Sequence, residues 1–217
     1  MPPRGLEPTG IVLVDKPAGP SSFAVVADLR RRTRARTGHA GTLDPFATGL
    51  LLLLSGRATK LASCFVGLDK RYVTDIDLTA RTSTGDPEGT VIIRGEAPSP
   101  DELERQLEGL RGEVELPIPA TSAVKIRGER AYKLARRGVQ VDMPTRRSRI
   151  GALDVIAYND GELRLDLRVS SGTYIRAVAD VLGGHCRTLR RLEIGPFSVD
   201  EADSERFIPP DVALARL

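Results

Sequence analysis

No tryptophan occurs in this chain of 217 residues, and aromatic residues make up only 4% of it, so a core must come from aliphatic side chains. Cysteine is confined to Cys64 and Cys186, far apart and without framework spacing. That excludes a disulfide scaffold and fits a reduced compartment. The two histidines, His39 and His185, make no HxxxH pattern and no CxxC accompanies them, so no metal is expected. Amides are nearly missing: Asn159, Gln106 and Gln140 are the whole set. Such scarcity accompanies heat adaptation and also biased coding. No apolar stretch approaches the roughly 20 residues of a membrane span, and the opening MPPRGLEPTG has no apolar targeting core. A soluble, cytoplasmic protein without a membrane partner is expected.

Lysine is scarce as well. Five of the 32 basic residues are Lys, leaving 27 Arg. Arginine's fork of donors matches phosphate oxygens, but GC-rich coding raises arginine everywhere, and the net charge of +3 is mild. What is present is globular: 41% hydrophobic and 28% charged residues, enough for one domain over residues 1–217. Residues 10–14 read as a strand ended by a turn. Ser21 or Ser22 can cap a helix to about residue 32, with Phe23, Val26, Ala27 and Arg30 at helical spacing. Residues 50–54 read as a buried strand and 58–66 as a helix. Period-2 alternation marks strands at 71–80 and 163–169. Helices are expected at 100–110, 129–137 and 174–182. Without a βαβ rhythm, the fold class is α+β on a mainly antiparallel mixed sheet flanked by helices and loops.

The segment Gly38-His39-Ala40-Gly41-Thr42-Leu43-Asp44-Pro45-Phe46-Ala47-Thr48-Gly49 suits neither helix nor strand. Such loops serve close backbone approach or unusual dihedrals. Pro45 restricts Asp44 to extended geometry, which would fix the direction of its carboxylate. An Asp-Pro pair can equally be a plain turn. An aspartate in a Gly/Thr loop also suits phosphoryl transfer, but no GxxxxGK[ST] loop or magnesium-holding acidic cluster is present.

That segment resembles the G-H-x-G-x-L-D-P-x-A-x-G signature of the TruB family of tRNA pseudouridine synthases. Further likenesses follow in family order. Val14-Asp15-Lys16-Pro17 is similar to the N-terminal Lys-Pro loop, and Asp69-Lys70-Arg71-Tyr72 to the motif with an active-site tyrosine. Pro119-Ala120-Thr121-Ser122-Ala123-Val124-Lys125 resembles P-x-x-S-A-x-K, although Ala120 and Thr121 depart from its usual Pro and Met or Tyr. Gly172-Thr173-Tyr174-Ile175-Arg176 resembles G-T-Y-I-R, and Leu189-Arg190-Arg191-Leu192 the closing L-R-R motif. The likeness covers roughly residues 9–200.

The resemblance implies the pseudouridine synthase fold and isomerisation of the T-loop uridine of tRNA, conventionally position 55. The uridine is flipped out, its glycosidic bond is broken, and the uracil is rejoined through carbon. Atoms balance within the substrate, so no cofactor is expected. Asp44 resembles the catalytic aspartate, a covalent nucleophile or an electrostatic stabiliser. Arg176 matches the arginine that pairs with it, and Tyr72 the tyrosine that packs on uracil and is a candidate for proton removal. His39, Lys16, Tyr174 and Leu189 match substrate-side positions. Arg130, Lys133 and Arg137, at i, i+3, i+7 spacing, belong to an RNA-contacting thumb at about 125–150, and Arg30, Arg31, Arg32, Arg34 and Arg36 form a second basic run. The expected partner is the T arm of tRNA, with no obligate protein partner and a monomeric state. Family members usually add a small C-terminal RNA-binding module. No such PUA-like domain is expected within these residues. The alternative from another class is a non-catalytic tRNA-binding or tRNA-folding factor.

Overall fold

The computed structural model describes residues 8–139 and 141–217. Its elements run β1 (Gly10–Lys16), α1 (Ser22–Thr33), β2 (Thr37–His39), β3 (Thr48–Ser55), α2 (Ala62–Val66), β4 (Lys70–Asp77), β5 (Ala80–Thr82), β6 (Val91–Arg94), α3 (Pro100–Glu108) and β7 (Gly112–Pro117). They continue β8 (Lys125–Ile126), β9 (Glu129–Arg130), α4 (Ala131–Arg136), β10 (Thr145–Asn159), β11 (Glu162–Val169), α5 (Ile175–Val181), β12 (His185–Ile194), β13 (Phe197–Ser198), β14 (Asp203–Ile208) and α6 (Pro210–Leu214). Two compact units result. One comprises Met1–Val73 with Leu189–Leu217 and the other Thr74–Thr188, the division falling inside β4 and inside β12.

In the first unit the strands lie in the order β14-β1-β3-β12, with β2 also on β3 and β13 on β12. β1 and β3 pair antiparallel from Gly10↔Ser55 to Lys16↔Gly49. β3 and β12 pair in parallel through Arg190↔Thr48 and Arg191↔Gly49, the departure from a purely antiparallel sheet. The five leucines of β3 explain its central place. Leu50, Leu52 and Leu54 pack with Ile11, Leu13, Phe65 and Phe197 on one face. Leu51 and Leu53 pack with Val12, Val26 and Leu29 on the other. A strand buried on both faces needs such a continuous apolar run, and each fully buried leucine contributes roughly 1.5–3 kcal/mol.

Helix α1 starts where Ser21 accepts the Ala24 N–H, and it ends at Arg34 in the left-handed region. Its buried side is Ser22, Val26 and Leu29. Phe23, at helical spacing with Val26, is 68% exposed. The helix read at 58–66 is a 3-10 turn, Gly56–Leu61, followed by the short α2.

In the second unit the order is β4-β11-β10-β7, with β5-β6 and β8-β9 as separate ribbons. Leu163, Leu165, Leu167 and Val169 are buried, as their alternation requires. The strand read at 71–80 stops at Asp77, whose carboxylate takes the Thr79 N–H and hydroxyl and turns the chain before β5. Ser99 and Glu102 form a capping box on α3. α4 is shorter than the helix read at 129–137, because Glu129 and Arg130 belong to β9. Among the described residues no helix is long and apolar enough to cross a membrane.

Candidate active site

The loop that carries Asp44 is held along its backbone in the first unit. Five successive carbonyls are each engaged. Gly41 O accepts Arg191 Nη2 at 3.1 Å and Thr42 O accepts Arg191 Nη1 at 3.4 Å. Leu43 O accepts the Ser22 hydroxyl at 2.9 Å, and the same Oγ accepts the Leu43 N–H at 2.8 Å. Asp44 O accepts the Ala47 N–H at 3.2 Å. Pro45 O accepts the Gly19 N–H at 2.8 Å and Lys16 Nζ at 3.2 Å. Main-chain atoms fixed on both sides of Asp44 constrain the backbone position from which its side chain projects. Asp44 itself is half-buried.

Ser22 is 2% exposed and uses its hydroxyl as donor and acceptor on one residue, Leu43. Ser22→Ala leaves both Leu43 groups without partners, so a loss of about 1–3 kcal/mol in unfolding free energy is expected. Denaturant titration measures it, and turnover should fall while substrate binding is retained.

Lys16 is a pin and not a surface cation. It is fully buried, and its ammonium donates to Pro17 O at 2.8 Å, Pro20 O at 2.9 Å and Pro45 O. Arg191, 1% exposed, also donates through Nε to Leu50 O at 2.8 Å and through Nη1 to the Tyr72 hydroxyl at 3.5 Å. It ties the Asp44 loop, β3 and Tyr72 together. Its L-R-R motif was legible in the sequence, but the arginine's inward direction was not. Gly49 is obligatory beneath it, since an added Cβ would meet Arg191 O at 2.2 Å with φ at +101°. Tyr72 and Leu189 are buried and His39 is half-buried. Burial, reinforced by the charge of Arg191, lowers the His39 pKa from 6.5, which favours a neutral ring at pH 7.

Lys70 is buried, with its ammonium donating to Val66 O and Leu68 O. Burial first, and then Arg191, lowers its pKa from 10.5 to about 8, against the opposing charge of Asp69. The folded chain therefore holds fewer protons than the unfolded chain between those values, and stability should rise with pH across that window. Lys70→Met should flatten the rise, as read by unfolding titrations at pH 7.5, 9 and 10.5 (values set by the shift itself).

In the second unit Arg176 lies on α5, 3% exposed. Its Nη1 donates to Thr84 O at 2.7 Å and to the Thr121 hydroxyl at 2.5 Å, and stands 3.3 Å from Asp86 Oδ2. The other Asp86 oxygen accepts the Thr84 hydroxyl and the Glu88 N–H. Asp86, read from the sequence only as part of a turn, is thus a buried counter-ion of Arg176. Thr121, a departure from the motif, supplies one of the arginine's acceptors. Thr84, Pro119, Thr121 and Arg176 line a cavity of about 220 Å³. Tyr174 precedes α5 at its cap, half-buried.

The expected basic stripe is rearranged. Lys133 is exposed on α4, while Arg130 lies before it and Arg137 after it. Arg130 donates to Ala123 O and Arg137 pairs with Glu129 at 2.7 Å, because a helix of six residues cannot carry i to i+7. Gln140 of the thumb segment lies outside the described residues. Among the described residues no three His, Cys, Asp or Glu side chains gather as metal ligands would.

An α+β mixed sheet with a pinned Gly/Thr loop presenting one aspartate defines a class, and comparison with known proteins identifies it. The family model described as TruB family pseudouridylate synthase (N terminal domain) matches residues 30–175, and this chain belongs to that family of isomerases. A tRNA pseudouridine synthase B of Mycobacterium sp. (strain KMS) is 46% identical over 206 residues, covering 89% of this chain and 69% of the relative. The protein of that name from Caldicellulosiruptor saccharolyticus is 39% identical, covering 93% and 73%. Among solved structures, a chain of a Cbf5-Nop10-Gar1 complex superimposes with a TM-score of 0.67 at 26% identity, covering 93% of this chain and 56% of that one. A chain of an H/ACA RNP bound to a substrate RNA containing 2′-deoxyuridine gives 0.66 at 24% identity, covering 90% and 50%, and shares the fold. The present chain thus spans about half of that structure's chain.

Proposed function

We propose that this protein converts the T-loop uridine of tRNA, position 55, to pseudouridine with Asp44 as the catalytic carboxylate. The observation that carries the reading is the Asp44 loop, whose carbonyls from Gly41 to Pro45 are each held by a hydrogen bond. The relatives named tRNA pseudouridine synthase B support the choice of RNA.

Detachment of uracil breaks the C1′–N1 bond and leaves positive charge on the ribose, which a carboxylate stabilises or captures. After rotation C5 joins C1′, C5 loses its proton, and N1 gains one, so substrate and product are isomers. Tyr72 is assigned to the face of the uracil and Arg176 to the catalytic carboxylate. His39, Lys16, Tyr174 and Leu189 are assigned to substrate positioning. Lys16 serves there by holding Pro45 and hence the loop, and Lys133 with the neighbouring arginines serves the RNA backbone. Action on cytoplasmic tRNA by a monomer completes the reading.

An unmodified tRNA transcript tests it. Carbodiimide adduct mapping after incubation should show one new pseudouridine at position 55, and a transcript with cytidine there should show none. Tight binding of the transcript without product would shift the reading to a tRNA-folding factor.

A further inference from the structure

The chain between β7 and β8 is anchored on both sides of a tight turn. The Ile118 N–H donates to Pro144 O at 3.0 Å on entering it, and Ser122 O accepts the Tyr132 N–H at 3.0 Å on leaving it. The Ser122 N–H donates to Pro119 O at 3.1 Å, which closes the turn and leaves Ala120 and Thr121 at its central positions. Ile118 and Ser122 are buried and Thr121 is half-buried. Thr121 therefore presents its side chain from a fixed backbone, and the branch at Cβ restricts its χ1.

Facing it is Arg176, the second residue of α5, in a helix whose residues from Ile175 to Ala179 are all buried. Thr121 meets both terminal nitrogens of the guanidinium. Its hydroxyl accepts from Nη1 at 2.5 Å and its carbonyl from Nη2 at 3.5 Å. Nη1 also has Thr84 O at 2.7 Å and Asp86 Oδ2 at 3.3 Å. A terminal guanidinium nitrogen carries two protons, so Nη1 is offered three oxygens for two. Thr84 O and Asp86 are enough to satisfy it, and Asp86 answers the charge. The Thr121 hydroxyl is surplus to that need, yet it makes the shortest of the three contacts. What it adds is direction, because a planar group touched at both ends by one residue is fixed in rotation. The motif that this segment resembles usually has Met or Tyr here, whose polar atom lies farther from the backbone. The short contact belongs to this chain's threonine.

We propose that Thr121 is a positioning residue for the isomerisation, its hydroxyl setting the rotation of the Arg176 guanidinium. The proposal rests on the reading that assigns Arg176 to the catalytic carboxylate, and it names the group that aims that arginine. A guanidinium serves a carboxylate as a planar fork. A small rotation of the fork lowers the rate while leaving the fold intact.

The test separates rate from binding and from stability. Single-turnover pseudouridine formation at saturating unmodified tRNA transcript is compared for wild type, Thr121→Val and Thr121→Ser. Transcript affinity, by fluorescence anisotropy, and thermal unfolding are read on the same proteins. Thr121→Val keeps the shape of the side chain and removes the acceptor. It should slow the reaction by about tenfold to a hundredfold, the scale of a misplaced group in a positioned reaction. Affinity should stay within about threefold, and the unfolding midpoint should stay at the wild-type value. Thr121→Ser returns the oxygen without the methyl and should recover most of the rate. A wild-type rate in Thr121→Val overturns the proposal. So does a rate in Thr121→Ser as low as in Thr121→Val, or a rate loss matched by a fall in the unfolding midpoint, since each makes the residue a packing element. Should wild type itself form no pseudouridine, the isomerase reading and this proposal fall together. If wild type turns over and Thr121→Val equals it, the assignment of Thr121 fails alone.

Discussion

Asp44→Asn is expected to abolish isomerisation, lowering single-turnover pseudouridine formation by at least roughly 10⁴-fold, the scale seen when a nucleophile is removed from an enzyme. That factor corresponds to about 5.5 kcal/mol of lost transition-state stabilisation. The substitution keeps the volume and shape of the side chain but removes the charge proposed to answer the cationic ribose. The backbone that presents residue 44 should survive unchanged, because its constraints come from Ser22, Lys16, Gly19 and Arg191 acting on main-chain atoms. RNA affinity should therefore stay within about threefold of wild type, a change of less than 1 kcal/mol. Asp44→Glu sharpens the result. It retains the charge but advances it by one methylene, and a displacement of about 1 Å costs on the order of 10²-fold in a positioned reaction. If Asp44→Asn turned over at even a tenth of the wild-type rate, the carboxylate would not be the reacting group.

Why did the Asp44 loop stand out in the sequence while other parts of the candidate site did not? The Asp44 loop declared itself through residue types that no regular element accommodates. β3 and β11 declared themselves through a leucine run and through strict alternation, both direct consequences of burial geometry. In α1, helical spacing fixes which residues share a face, not which face meets the core, and Phe23 lies outside the buried side. Ser21 caps the helix, and Ser22, Val26 and Leu29 form its buried side. Lys16 and Arg191 carry the same difficulty. Long cationic chains ordinarily lie at the surface, and only the run of proline and loop carbonyls around them makes burial tolerable. Asp86 was hidden by its own neighbours, since Asp-Pro-Glu-Gly is fully accounted for as a turn. Nothing local indicates that the carboxylate points inward to an arginine ninety residues later in the chain.

That hidden aspartate yields the second large effect. Asp86→Ala removes a buried counter-ion of Arg176 and deprives the guanidinium of that carboxylate. Breaking one side of a buried ion pair costs about 3–5 kcal/mol, a large fraction of the 5–15 kcal/mol that holds a domain together. The turn suffers too, because the Thr84 hydroxyl and the Glu88 N–H lose their acceptor. Asp86→Asn separates the two contributions. It retains an acceptor for those groups and deletes only the charge, so it should unfold at lower denaturant than wild type but above Asp86→Ala. Arg176→Met combined with Asp86→Leu should recover much of the stability lost by either partner alone, since neither charge is then stranded. Activity should not return with it. If Arg176 serves only the fold, the double variant regains turnover together with stability. If it serves the catalytic carboxylate, as proposed, the double variant is folded and inactive, and unfolding titrations read alongside single-turnover rates separate the two roles.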